Sequence, residues 1–169
     1  MNKIILICGK ICSGKTIYAK NITKDLNSVI LSVDEISLAI FERHLGDKHD
    51  EICKKIEEYL YKKALEILSV GINVILDWGF WKRENRQFVT KYFKALGINV
   101  EWHYIDVDNI TWNKNILKRN NAIRNNEENN YFLDENIIKK FQDLFEEPEL
   151  NEMDIWHNNE NIKLNMSGK

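Results

Sequence analysis

Eight consecutive residues near the amino terminus, Gly9, Lys10, Ile11, Cys12, Ser13, Gly14, Lys15 and Thr16, spell G-x-x-x-x-G-K-T, and that spacing constrains the backbone on both sides of it. A loop of this kind turns its N–H groups inward around an anion, so it needs a strand to feed it and a helix whose positive end completes the cradle. Both flanks comply. Lys3, Ile4, Ile5, Leu6, Ile7 and Cys8 form a short apolar, β-branched run suited to a strand buried on both faces. Beyond the loop, Tyr18, Ala19, Ile22 and Leu26 fall on one face of a helix expected to begin near Ser13. The implied ligand is a nucleoside triphosphate, with Lys15 reaching the β- and γ-phosphates and the Thr16 hydroxyl ligating the accompanying Mg²⁺. A plain strand-to-helix turn with a surface lysine is the competing explanation, and it leaves the agreement of the flanks to coincidence.

The rest of the chain alternates in the same way. Residues 29–33, 73–77, 100–107 and 153–157 read as strands, and helices are expected from Glu35 and over 51–68, 83–96, 109–119 and 134–145, with Gly71 and Gly97 ending two of them. Alternation implies an α/β, three-layer phosphate-loop fold, with a five-stranded parallel sheet, right-handed crossovers and a helical lid. A length of 169 residues, 44% hydrophobic, suits one domain over 1–169.

Lys and Arg total 24 against 26 Asp and Glu, a net charge of −2 that argues against a large nucleic-acid footprint while leaving local basic patches open. Cys8, Cys12 and Cys53 lack metal-ligand spacing and are expected as reduced thiols, and His44, His49, His103 and His157 show no ligand or triad spacing. The apolar run at the amino terminus is too short to span a membrane, so the expected location is the cytoplasm. Residues 120–130, rich in Asn, are expected to be solvated and mobile.

Ligands of such sheets bind beyond the carboxyl ends of the strands, where Gly9, Asp34 and Asp77 each end a different strand. Asp34 is the candidate general base for an acceptor hydroxyl, or else the N-cap of the helix after it. Asp77 is open to three roles: holding Mg²⁺ through water or Thr16, orienting the acceptor, or capping the strand end. Arg119 and Arg124 flank the start of the Asn-rich segment and could close over the phosphates as part of a lid at about 117–134, or lie on a solvated helix end. Trp78, Gly79, Phe80 and Trp81 follow Asp77 directly. Their rings could stack on an acceptor, with Lys82, Arg83 and Arg86 as anion contacts, and core covering accounts for at least one of them.

Four segments together resemble the ATP-binding kinases labelled AAA-domain kinases: residues 9–16, Leu31-Ser32-Val33-Asp34, Val74 through Trp81 with Arg83 and Arg86, and Lys118-Arg119-Asn120 with Arg124. That group is similar to the kinase domain of polynucleotide kinase, to chloramphenicol phosphotransferase and, more distantly, to zeta toxins. Phe145-Glu146-Glu147-Pro148 looks like the segment before the last strand in the same family. The resemblance implies ATP, Mg²⁺, an acceptor-side aspartate at Asp34 and lid arginines at Arg119 and Arg124. Two positions depart from related patterns: Ser37 stands where polynucleotide kinases carry an arginine, and Ile11 where adenylate kinases carry proline. Both point away from nucleic-acid and nucleoside monophosphate acceptors.

The function expected is therefore transfer of the γ-phosphate of ATP to a hydroxyl of a small molecule. The alternatives are a polynucleotide 5′-hydroxyl kinase and a nucleotide-binding module without catalysis. A GTPase would need Asn-Lys-x-Asp, which Asn2-Lys3 and Asn113-Lys114 do not complete, and an AAA+ machine would carry Glu where Trp78 stands.

Overall fold

The computed structural model describes residues 2–41, 48–128 and 130–158; the His44 expectation lies outside them. Five strands, β1 (Lys3–Cys8), β2 (Ser28–Leu31), β3 (Asn73–Leu76), β4 (Asn99–Ile105) and β5 (Ile155–His157), form one sheet in the order β2-β3-β1-β4-β5. Every pairing is parallel, with Leu6 of β1 opposite Leu76 of β3 and Trp102 of β4. The helices are α1 (Lys15–Leu26), α2 (Val33–Phe41), α3 (His49–Ser69), α4 (Arg83–Ala95), α5 (Asn109–Arg124) and α6 (Glu135–Leu144).

The unbroken apolar run of β1 follows from its central place. Ile4, Leu6 and Cys8 point to one face, where Leu60 and Ala64 of α3 and Val89 and Phe93 of α4 cover them. Ile5 and Ile7 point to the other, against Ala19, Tyr18 and Ile22 of α1. Alternation along the strand therefore feeds two cores, and burial of these side chains is the main term holding the three layers together. A third cluster lies at the carboxyl end of the sheet, where Val107, Trp112, Ile116 and Leu133 join Ile11 and Cys12 of the loop to α6. Among the described residues no helix is long and apolar enough to cross a membrane.

The elements differ from expectation at their ends, for local reasons. Helix α1 starts at Lys15, because Gly14 sits at φ 98 and turns the chain into it. Strand β2 stops at Leu31, and α2 already includes Asp34; the cap belongs to Ser32, whose Oγ accepts the Glu35 N–H at 3.3 Å. Helix α5 continues five residues past Arg119 through the Asn-rich stretch. Asn120 is buried there and pairs twice with Leu133, donating Nδ2–H to its carbonyl at 2.8 Å and accepting its N–H at 3.0 Å. The start of that stretch is thus helical and packed, not solvated.

Candidate functional site

The phosphate loop is shaped by close approach. A Cβ at Gly9 would lie 2.8 Å from the Ile105 carbonyl and 2.7 Å from Ser13 Oγ, so only glycine lets the loop pass β4. Cys12 adopts φ 58, and Ser13 N–H donates to the Lys10 carbonyl at 3.1 Å to close the turn. Ser13 Oγ is buried with no hydrogen-bond partner, an unmet polar group of the kind a bound anion satisfies. The Lys15 ammonium lies back across the loop, donating to the carbonyls of Gly9 at 2.9 Å and Lys10 at 2.8 Å. Burial pulls its pKa below the ordinary lysine value, opposed chiefly by Asp77. These features fit a polyphosphate.

Asp77 is 4% exposed at the end of β3, beside the Thr16 hydroxyl. Burial pushes its carboxyl up from the usual range, while Thr16 and Lys15 draw it back. A hydroxyl and a carboxylate side by side are the hard oxygen donors that Mg²⁺ takes together with phosphate oxygens and water. Among the described residues no three His, Cys, Asp or Glu side chains form a metal site by themselves. The residues present suit a metal that arrives with the nucleotide.

Asp34 is exposed in the first turn of α2, and its charge is felt by Lys15 and Asp77 and by Cys53 of α3. The ends of β1, β2 and β3 thus bring the loop, Asp34 and Asp77 to one crevice. Arg119 joins them: its Nε and Nη2 donate to the Tyr131 carbonyl at 3.2 and 3.0 Å, Nη2 also to Asn130 Oδ1 at 2.6 Å, and Nη1 ends 3.8 Å from Cys12 Sγ. Arg124 does not accompany it. Its exposed guanidinium lies 5.0 Å over the Phe132 ring.

The segment after Asp77 requires a correction. Trp78 and Phe80 are 5% and 2% exposed, with rings 5.3 Å apart; Trp78 packs on Tyr61 and Phe80 on Trp102. They cover the core and present no face to an acceptor. Trp81 is half-buried against Phe141 at 4.6 Å. Arg86, 2% exposed, is a staple: Nη1 donates to the carbonyls of Phe80, Trp81 and Glu146, and Nη2 pairs with Glu152 at 3.2 Å. Arg83 pairs with Glu149 at 2.9 Å and Glu152 at 3.4 Å. Acidic residues from beyond α6 therefore engage both guanidiniums expected as anion contacts.

Sequence reasoning missed Trp112 and Asn115. The indole N–H of Trp112 donates to the Ile11 carbonyl at 2.6 Å, and Asn115 Nδ2 to the Cys12 carbonyl at 3.0 Å. Their spacing with Arg119, i, i+3 and i+7 on α5, was the available signal. Tyr131 was also missed; its hydroxyl lies 3.3 Å from the buried Ser37 Oγ.

A phosphate loop with a strand-end aspartate on the adjacent strand of an all-parallel sheet defines a phosphate-loop nucleotide-binding fold of the kinase type. The chain belongs to the AAA domain family, whose model matches residues 4–148. Among solved structures it is similar to a sugar kinase from Janibacter sp. HTCC2649, with a TM-score of 0.63 at 16% identity over 94% of this chain and 86% of that one. The APS kinase of Mycobacterium tuberculosis, in complex with AMPPNP and APS, gives 0.58 at 16% identity over 98% of both chains. A gluconokinase from Sinorhizobium meliloti 1021 gives 0.60 at 14% identity over 92% and 82%. No curated protein sequence matches the chain.

Proposed function

We propose that the protein is an ATP-dependent phosphotransferase that moves the γ-phosphate of ATP to a hydroxyl of a small molecule. The observation that carries this reading is the meeting, at three adjacent strand ends, of a lysine-bearing phosphate loop, the Thr16–Asp77 pair and the exposed carboxylate of Asp34. The kinases among its structural neighbours support it.

In this mechanism the loop N–H groups and Lys15 hold the β- and γ-phosphates, with the ammonium leaving the loop carbonyls for the phosphate oxygens. Thr16 and Asp77 would hold Mg²⁺, which supplies charge neutralisation between the phosphates. Asp34 accepts a hydrogen bond from the acceptor hydroxyl, orients its oxygen toward the γ-phosphorus and takes its proton as the new bond forms and the bond to the β,γ-bridging oxygen breaks, releasing ADP. Arg119, already beside Cys12, steadies the charge of the transferring group. Arg124, at the last turn of α5, would leave the Phe132 ring and swing toward the phosphates, and the lid expected at about 117–134 would then close by this side-chain movement.

A small acceptor is favoured by Ser37. The position three residues after Asp34 carries a buried hydroxyl facing Tyr131, not a cation that could grip a nucleic-acid phosphate. The test is transfer of label from γ-labelled ATP across a panel of sugars, nucleosides, hydroxylated antibiotics and a 5′-hydroxyl oligonucleotide, with Lys15→Ala protein as the background. Label in a small molecule supports the reading. Label in the oligonucleotide alone would replace it with a polynucleotide kinase, and no transfer to any compound, with ATP still bound, would favour a binding module.

A further inference from the structure

We propose that Trp112 and Asn115 of α5 are positioning residues for the nucleotide phosphates, holding the crest of the phosphate loop in its open form. The inference rests on the reading of residues 9–16 as the ATP site. When the N–H groups of a loop turn inward, its carbonyls turn outward, and an outward carbonyl pressed against protein needs a donor. At the crest these carbonyls belong to Ile11 and Cys12, and the donors are Trp112 Nε1 and Asn115 Nδ2 at 2.6 and 3.0 Å.

Cys12 lies at this crest with φ 58, a left-handed conformation that a non-glycine residue keeps only when its surroundings hold it there. Both donors come from one face of one helix, and packing fixes the direction of Trp112. Trp112 is 4% exposed, packed with Ile116, Leu133 and Ile11, and covered by the Lys10 ammonium 5.8 Å from its ring. With either donor gone, the smallest rearrangement that relieves the carbonyl is rotation of its peptide toward the cradle. There its oxygen would stand against phosphate oxygens. The loss is therefore expressed in phosphate binding more than in the fold, and α5, whose next turn carries Arg119, sets the loop and the lid arginine from one rigid element.

The test uses Trp112→Phe, which keeps a packed ring without the N–H, and Asn115→Leu, which keeps the approximate volume without the donor. Titration calorimetry measures MgADP and MgATP, and ligand-detected NMR measures adenosine, which has no phosphate. Each variant is expected to bind MgADP and MgATP about five- to tenfold more weakly, the effect of one lost hydrogen bond, with adenosine affinity unchanged. A merely structural role would leave the affinity of the folded protein within twofold of wild type for all three ligands, or weaken all three alike, and either result overturns the assignment. Wild-type protein that fails to bind MgADP would overturn the ATP site and this assignment together.

Discussion

The hydroxyl of Thr16, the second residue of α1, acts on the carboxylate of Asp77, the residue that follows β3, drawing its pKa down, and so couples the last position of the phosphate loop to the neighbouring strand. Two oxygens of the type Mg²⁺ prefers thereby share one site.

Asp77→Asn keeps the shape but removes the charge. The Mg²⁺ concentration for half-maximal phosphoryl transfer is expected to rise by about 10- to 100-fold, the usual effect of altering a group that supports a metal. A Mg²⁺ titration of activity at fixed ATP checks it; an unchanged requirement would assign Asp77 to the strand end alone.

Arg86→Ala should damage the fold more than the chemistry. The substitution leaves the Phe80, Trp81 and Glu146 carbonyls without their donor and Glu152 without its buried partner. Glu152 keeps Arg83 at 3.4 Å, so the loss comes mainly from the carbonyls left without a donor and is expected at about 1–3 kcal/mol. Urea unfolding measures the loss. A variant of normal stability with a raised acceptor KM would return Arg86 to the acceptor site.

Stability should depend on pH through a chain of buried and half-buried groups that joins four elements. Lys3 pairs with Glu101 at 2.7 Å, His103 Nε2 lies 2.8 Å from Glu101, and Tyr18 Oη lies 2.8 Å from His103 Nδ1 and 2.6 Å from His157 Nε2. With Glu101 ionised, His103 donates from Nε2, accepts from Tyr18 at Nδ1, and leaves Tyr18 to accept from His157. A protonated His103 would break that order. Burial holds His103 and His157 below the ordinary histidine value, so the unfolded chain takes up these protons first. Their contribution is fully present above an unfolded value of about 6.5 and is lost as the pH falls below it. Glu57, pushed up to about 7 by burial, acts in the opposite direction. Comparison with His103→Gln at pH 7.5 and 5.5 separates the two: wild type should lose more stability on acidification than the variant, and equal losses would remove His103 from the account.

The strand, loop and helix around Gly9 were legible because each is specified locally, by the unbroken apolar run of β1, the loop spacing and the periodicity of α1. The strand-end position of Asp77 followed from the same patterns, whereas Asp34, expected to end a strand, lies in the first turn of α2. Partnerships over long distances in sequence were not legible. Whether Trp78 and Phe80 meet a ligand or a core depends on Tyr61 and Trp102, and whether Arg86 is free depends on Glu152, 66 residues away. The length of α5 was hidden for the same reason: Asn120 reads as polar and solvated until Leu133 is placed beside it. Trp112 and Asn115 donate to the carbonyls of Ile11 and Cys12, about a hundred residues away, and their spacing with Arg119 does not name those partners.

The measurement that most directly tests the crevice as a phosphotransferase site is turnover of Asp34→Asn with the best acceptor from the panel, alongside its ATP dissociation constant. The account predicts a fall in kcat of at least about a hundredfold, the contribution of a general base, with ATP affinity within about twofold of wild type. Near-normal turnover, or collapse of ATP binding with the fold intact, would contradict it.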